Sequence, residues 1–490
     1  MSAFWIIDQL IQQGVDLFCI SPGSRSTPLA LAAAEHPEAE TLVHFDERGM
    51  GFYALGYSKG RGRAAAVIVT SGTAVGNLMP SVLEAHHSFT PLIVLSADRP
   101  PELRDCSANQ TTDQIKIFGN AVRWQVDLDV AGSEKYVRSS VAQGVFWAMQ
   151  NPPGPVQINC PFREPFYPPA ISPSFGKPLS FSFPRMVPSV EASAAKRGLI
   201  LLGRIPGNPK PVLELAKRLQ WPVFADILSQ ARCQMTDEQV RCTPEKELKP
   251  DLILHFGERF VSKTHLRWHL DVPYVHISPY PFLQDPERRV TSRIQCDIDL
   301  FCEQFEARTD PTWLPSWKAL EKPLPAHPLA VPSGWAVFFG NSMPIRNADN
   351  FLYPDACAGF YCNRGLSGID GNIATAAGLA HGLQKPLIAL IGDQACLHDL
   401  NSLPLLKNSP FPIHLIVENN FGGQIFTHMP VSQSPHFAKY WTASHTWNFE
   451  HIAHMFDLPY LQAESLPTNF LDTSSLIEWT PVEKNSEVSL

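Results

Sequence analysis

The chain has 490 residues, 44% hydrophobic and 18% charged. At roughly 100–200 residues per domain that length fits two to four globular domains, with three the central expectation. A formal net charge of −8 excludes a general nucleic-acid binder, which would carry a basic excess or stripe. The N-terminus, MSAFWIIDQLIQQGVDLF, lacks a basic leader and carries Asp8 inside its apolar stretch, so it predicts an amphipathic first helix and not a signal peptide. The uncharged stretch 64–83 is long enough to span a bilayer, but Ser71, Gly72, Thr73, Gly76, Asn77 and Pro80 favour strand, turn and helix with no membrane span. The ten cysteines (Cys19, Cys106, Cys160, Cys233, Cys242, Cys296, Cys302, Cys357, Cys362 and Cys396) form no CxxC pair and read as buried or free thiols. Together these features predict a soluble cytoplasmic protein.

In the first third, residues 15–20 predict a strand that runs into SPGSRSTP. Residues 65–70 (AAVIVT) predict a second, followed by SGTAVGN at a helix start, and 91–96 (PLIVLS) a third, followed by ADRPPEL. Such alternation predicts βαβ units and a parallel sheet buried on both faces. The middle third carries candidate strands at 198–202, 222–225, 252–256 and 274–277, between proline-rich linkers at 151–188 and 311–332. The last third predicts a helix at 374–383, a strand at 386–391 (PLIALI), the turn Gly392-Asp393, a helix at 397–406 and a strand at 412–417 (PIHLIV). Its element order repeats that of the first third, which suggests two related domains on either side of another. The expected fold class is therefore α/β, with three parallel-sheet domains at 1–175, 185–315 and 325–490.

Six polar turns, SPGSRS, TSGT, SADRP, FGNS, IGD and ENN, fall just after predicted strands. Ligands of open parallel sheets bind at the carboxyl ends of the strands, although any one such turn alone reads more readily as an ordinary polar loop. The strongest local signal is Ile391-Gly392-Asp393, then twenty-five residues (394–418), then Asn419-Asn420-Phe421-Gly422-Gly423. One strand–helix–strand unit fits between the two ends. If the strands are neighbours, Asp393 and Asn420 converge at one sheet edge. A carboxylate, a carboxamide and a backbone carbonyl are hard oxygen donors suited to Mg²⁺, and only one of them is charged. The competing reading is two plain turns, with the asparagines capping a helix.

This segment resembles the cofactor motif of thiamine-diphosphate enzymes. The resemblance implies that Asp393, Asn420 and the Gly422 carbonyl bind Mg²⁺ or Mn²⁺, which holds the diphosphate. Gly392, Gln394 and Gln424 would lie at the same cofactor. Most of that superfamily has glycine where this chain has Gln394. The resemblance also implies an activating glutamate in the first domain, and Glu47 of HFDERG (44–49) fits it. The fold it implies has pyrimidine-binding, central and diphosphate-binding domains. Sites of that superfamily lie between the first domain of one subunit and the last of another, which implies a homodimer or homotetramer.

Across nearly the whole chain, the sequence is similar to the 2-succinyl-5-enolpyruvyl-6-hydroxy-3-cyclohexene-1-carboxylate synthases of menaquinone biosynthesis. The shared segments are SPGSRSTPL (21–29), HFDERG (44–49), VTSGTAVGNL (69–78), ADRPPEL (97–103), Asn109-Gln110, INCPFREP (158–165), GNS…R (340–346), NRGLSGIDG (363–371) and NNFGGQIF (419–426). The resemblance implies decarboxylation of 2-oxoglutarate and transfer of the succinyl carbanion to isochorismate. Residues matching Ser24, Arg25, Arg99, Gln110, Ser342, Arg346 and Arg364 contact substrates or intermediates in that family, and Lys263 in the central domain matches a substrate lysine. Arginine suits these dicarboxylates because its planar fork binds carboxylate in two-point fashion. Ile369 matches the apolar residue that wedges the cofactor into a bent shape, with Ser367 and Gly368 beside it. Ile425 and Phe426 line the site nearby. Two other functions are weighed against this one: a different thiamine-diphosphate 2-oxoacid decarboxylase or carboligase, of the acetolactate-synthase kind, and a non-catalytic α/β binding protein. The middle region is shorter than expected for the family, and the chain ends soon after SLIEWTP (475–481).

Overall fold

Seventeen strands among the described residues form three sheets, and every strand pairing within them is parallel. The computed structural model describes residues 2–167, 175–189, 193–234, 248–262, 271–320, 327–352 and 356–481. The first sheet holds β1 (Leu17–Ile20), β2 (Glu40–Val43), β3 (Ala65–Val69), β4 (Leu92–Asp98), β5 (Trp124–Asp127) and β6 (Pro155–Pro161), in the order β2-β1-β3-β4-β6-β5. The second holds β7 (Gly198–Leu202), β8 (Val223–Ala225), β9 (Leu252–Phe256), β10 (Tyr274–Ser278) and β11 (Ser292–Gln295), in the order β11-β10-β9-β7-β8. The third holds β12 (Ala336–Phe339), β13 (Gly359–Cys362), β14 (Leu387–Gly392), β15 (Ile413–Glu418), β16 (Tyr460–Ala463) and β17 (Ser475–Trp479), in the order β13-β12-β14-β15-β17-β16. Numbered within its own sheet, the third repeats the strand order of the first. The expected three-domain α/β fold with related outer domains is therefore present.

The inner strands are continuous apolar runs because helices cover both of their faces. β3 (AAVIV) and β4 (LIVLSAD) are buried at every position. The helix Glu47–Arg61 starts where the Asp46 carboxylate accepts the Arg48 and Gly49 amides at 3.0 and 3.4 Å, and stops at Gly62, whose φ is +70°.

The first and third domains share one core. It joins Met50, Phe52, Leu55 and Val82 to Ile373, Ala377, Leu379 and Leu403. Its centre is the packing of helix Glu47–Arg61 on helix Asn372–Leu383, and glycine makes that approach possible. A Cβ on Gly56 would stand 2.1 Å from the Thr375 carbonyl oxygen, and one on Gly378 1.9 Å from that of Tyr53. Gly60 and Gly382, one turn further along, are similarly tight against Leu383 and Tyr57. The Tyr53 hydroxyl meets His381 Nδ1 at 2.9 Å across the same contact. The central domain has a separate core around Leu201, Phe256, Phe301 and Trp317.

Two expectations are corrected. The helix expected over 397–406 is broken into Asp393–His398, a turn at Leu400–Ser402 and Leu403–Lys407. Pro404, which offers no N–H to a continuing helix, stands at the start of the last piece, and the Asp399 carboxylate at the break accepts the Ile373 and Ala374 amides at 2.8 and 3.1 Å and so caps another helix. Cys233 and Cys357 are disulfide-bonded, so the ten cysteines are not all free thiols. Nothing in the spacing of two cysteines 124 residues apart signals that bond. No helix among the described residues is long and apolar enough to cross a membrane.

Candidate active site

β14 and β15 are neighbours in register, with Gly392 opposite Glu418, so Asp393 and Asn420 emerge at the same sheet edge. The Gly422 amide donates to Asp393 Oδ2 at 2.8 Å and locks the two turns together. The Gln394 amide donates to Asp393 Oδ1 at 2.6 Å. Burial pushes the Asp393 carboxyl above its usual range, and these two amides oppose that rise. Asn420 Oδ1 is buried and has no hydrogen-bond partner among the described residues. A buried oxygen left open beside a buried carboxylate fits a cation ligand set. Gly422 has φ +143°, and a Cβ there would stand 2.6 Å from the Thr442 carbonyl oxygen, so only glycine fits the turn. Gln394 spans the same edge, donating to the carbonyls of Thr442 and Ala443 at 3.3 and 3.0 Å. Gln424, Ile425 and Phe426 follow in a short turn and are half-buried.

The arginines of the third domain gather at the ends of β12 and β13. Ser342 has φ +74° and ψ −131°, a conformation open essentially to glycine and costing about 1–3 kcal/mol for serine. Gly72, which follows β3 in the first domain, adopts nearly the same angles, +81° and −135°. One turn on from Ser342, Arg346 has a buried Nη1 without a partner, and both burial and the nearby charge of Arg364 disfavour its charged form. Arg364 Nη1 donates to Asn341 Oδ1 at 3.2 Å. Arg364, Gly365 and Leu366 line a cavity of about 590 Å³ with Arg259 and Arg288. Ser367 is at φ +61° with a buried, unpartnered hydroxyl, and the Gly368 carbonyl accepts from Asn341 Nδ2 at 2.9 Å. Ile369 is 42% exposed, so it stands out from the core, as a residue in contact with a ligand would.

In the first domain Arg25 and Arg99 are both buried at the ends of β1 and β4. Arg25 Nη1 donates to the Phe162 carbonyl at 2.8 Å, its guanidinium lies 4.3 Å from the centre of the Phe166 ring, and its Nε has no partner. Burial and then Arg99 disfavour its charge. Arg99 bonds the Ser71 hydroxyl, and Gln110 Nε2 donates to the Ser71 carbonyl at 2.9 Å. Ser24 is exposed beside them. Glu47 is half-buried, and its Oε2 accepts from Asn77 Nδ2 at 3.1 Å.

The predicted residues therefore form a group at the β14–β15 edge, an arginine group in the third domain and an arginine group in the first. Among the described residues, no hydrogen bond or ion pair joins Glu47 to Asp393 or Asn420. Lys263 lies outside the described residues. Sequence reasoning missed His445, whose Nε2 is 3.2 Å from Asp393 Oδ2, because it lies 52 residues away with no motif spacing to mark it. It also passed over Asn341, although that residue stands inside the quoted GNS segment.

Two family models match the chain: the N-terminal TPP-binding domain of thiamine pyrophosphate enzymes over residues 2–117, and the middle domain of thiamine pyrophosphate enzymes over 183–327. A solved structure of a thiamin diphosphate-dependent enzyme from Mycobacterium smegmatis superposes with a TM-score of 0.77, covering 98% of this chain and all of that one, at 18% identity. That likeness speaks to the fold. Curated 2-succinyl-5-enolpyruvyl-6-hydroxy-3-cyclohexene-1-carboxylate synthases are much closer in sequence. The Rubrobacter xylanophilus protein is 37% identical over 93% of this chain and 89% of its own length. The Salinibacter ruber protein is 36% identical over 94% and 88%, and the Aeromonas salmonicida protein 38% identical over 93% and 88%. The chain belongs to the 2-succinyl-5-enolpyruvyl-6-hydroxy-3-cyclohexene-1-carboxylate synthase family of thiamine pyrophosphate enzymes.

Proposed function

We propose that this enzyme joins 2-oxoglutarate to isochorismate with loss of CO₂, giving 2-succinyl-5-enolpyruvyl-6-hydroxy-3-cyclohexene-1-carboxylate for menaquinone biosynthesis. The observation that carries the substrate class is the presence of two like-charged arginine pairs, Arg25 with Arg99 and Arg346 with Arg364, each holding a buried N–H without a partner. Such pairs are costly until anions arrive, and both substrates bring two carboxylates. Thiamine diphosphate, when bound, supplies the carbanion chemistry that releases CO₂ and forms the new bond.

The chain's own residues bind, orient and move protons. Asp393, Asn420 and the Gly422 carbonyl would hold Mg²⁺ or Mn²⁺ against the diphosphate. Gly392, Gln394, Ser367, Gly368, Ile369 and Gln424 would surround the cofactor. Glu47 would accept a hydrogen bond from its aminopyrimidine ring and steady the tautomer that takes up the C2 proton. Ser24, Gln110, Ser342, Ile425 and Phe426 would shape the substrate pocket around the arginines, and Lys263 would add a further cation for a substrate carboxylate.

The enzyme acts in the cytoplasm as a homodimer or homotetramer, with Glu47 of one subunit serving the metal edge of another. The absence, among the described residues of one chain, of a hydrogen bond or ion pair from Glu47 to that edge supports this, as does the exposure of Phe45, Ile369 and Phe421. Incubation with both substrates, thiamine diphosphate and Mg²⁺ should consume isochorismate and release CO₂. If isochorismate persists, the reaction is assigned wrongly. Sedimentation should find no monomer at working concentration.

A further inference from the structure

The loop that carries Arg364 is gripped from behind by the first domain. Glu84, on helix Met79–His87, is 4% exposed, and its carboxylate accepts the Gly365 amide at 3.0 Å and the Leu366 amide at 2.8 Å. Lys59, buried on helix Glu47–Arg61, donates to Asn363 Oδ1 at 2.7 Å and reaches both the Cys362 carbonyl and Glu84 Oε1 at 3.4 Å. Gly365 sits hard against this grip. A Cβ there would be 2.9 Å from the Glu84 carbonyl oxygen, from Glu84 Oε2 and from the Ser88 amide nitrogen. From the other side, Asn341 Nδ2 donates to the Asn363 carbonyl at 2.8 Å, and Asn341 Oδ1 takes Arg364 Nη1.

A buried ion pair is poor value as a source of stability, since desolvating two charges offsets most of their attraction. Every hydrogen bond of the pair named above, outside the pair itself, ends in the five residues 362–366, while the Arg204–Glu258 pair of the central domain adds charges nearby. That segment needs holding. After burial, Arg364 adds to the penalty on the charge of both Arg346 and Arg259, so these like charges repel until an anion binds. Two backbone amides fixed by one carboxylate resist displacement at the residues next to Arg364.

We infer that Glu84 and Lys59 are positioning residues for substrate recognition: their buried pair pins the 362–366 loop so that Arg364 stays beside Arg346 to receive a substrate carboxylate. This rests on the reading of Arg364 as a substrate residue. Neither side chain needs to touch substrate for this role.

The test uses the full-length enzyme with thiamine diphosphate, Mg²⁺ and both substrates. Arg364→Ala identifies the substrate whose KM depends on that guanidinium. Glu84→Gln keeps one acceptor oxygen but turns an NH₂ group towards the second amide. It should raise the KM of that same substrate on the order of tenfold, a change of about 1.4 kcal/mol, while kcat falls by less than about threefold. Placed on top of Arg364→Ala, it should add nothing further, because the two act through one group. Hydrogen exchange at the 363–368 amides should quicken in Glu84→Gln even without substrate. The double variant K59M/E84Q removes both charges and repeats the measurement if the single variant folds poorly. Equal KM increases in both backgrounds, an unchanged KM or unchanged exchange would each overturn the role. A wild-type enzyme that leaves isochorismate untouched would overturn the functional reading together with it, whereas an active wild type with additive variants overturns the positioning role alone.

Discussion

Asp393 is the one carboxylate in the proposed metal set, and its Oδ2 is already shared between the Gly422 amide and His445. Asp393→Ala should therefore lower the Mg²⁺-dependent affinity for thiamine diphosphate at least about tenfold by calorimetry. Wild-type affinity would take Asp393 out of the metal set. Glu47 has a different task and should fail differently. Glu47→Gln should bind cofactor within about threefold of wild type, yet slow exchange of the cofactor C2 proton by about 10²–10⁴, the usual span for a positioned proton-transfer group; NMR of the bound cofactor reads this directly. The placement of Asp393, Asn420 and the arginines at strand ends was legible because each follows a strand within a short motif. His445 and Glu84 were not. Each reaches its partner through the fold, and no local pattern marks a residue whose importance lies in what another segment brings to it.

At the scale of elements, legibility followed burial. β7 and β9 were found residue for residue because strands covered on both faces are written as apolar runs. The helix expected over 397–406 failed because apolar spacing passes over Pro404, which restarts the helix, and does not reveal that Asp399 caps another helix. The central sheet carries a further commitment. His255 on β9 is buried, with Nδ1 3.0 Å from the Tyr274 hydroxyl and Nε2 3.0 Å from the Glu258 carbonyl. Burial, reinforced by His276, pushes its pKa from the ordinary 6.5 to about 3. The folded state therefore holds this imidazole neutral. Its contribution to stability is complete above pH 6.5 and is lost as pH falls toward 3, at up to about 1.4 kcal/mol per pH unit. Thermal unfolding of wild type between pH 7 and 5 should slope more steeply than that of His255→Phe. Equal slopes would show that His255 already binds its proton in the native state.

Across the whole molecule, the repeated strand order places matching helices of the first and third domains back to back, and glycines let their backbones touch. Gly378→Ala would drive a methyl group into the Tyr53 carbonyl, 1.9 Å away. The substitution should cost about 1–3 kcal/mol, visible as a lower unfolding temperature; a stability gain from the better helix former would mean the helices separate freely. The likeness of the two outer domains was legible in the order of elements, but their shared core was not, since nothing local says which amphipathic faces will meet. That core also sets a schedule for the growing chain. The central domain can close as soon as residues 198–319 have been made, because its described strands and helices lie within that span. The first domain, although made earlier, keeps one face of helix Glu47–Arg61 uncovered until residue 383 emerges. The first domain, made before the other two, is thus completed only after the third, and until then its glycine-lined apolar face needs protection from other chains.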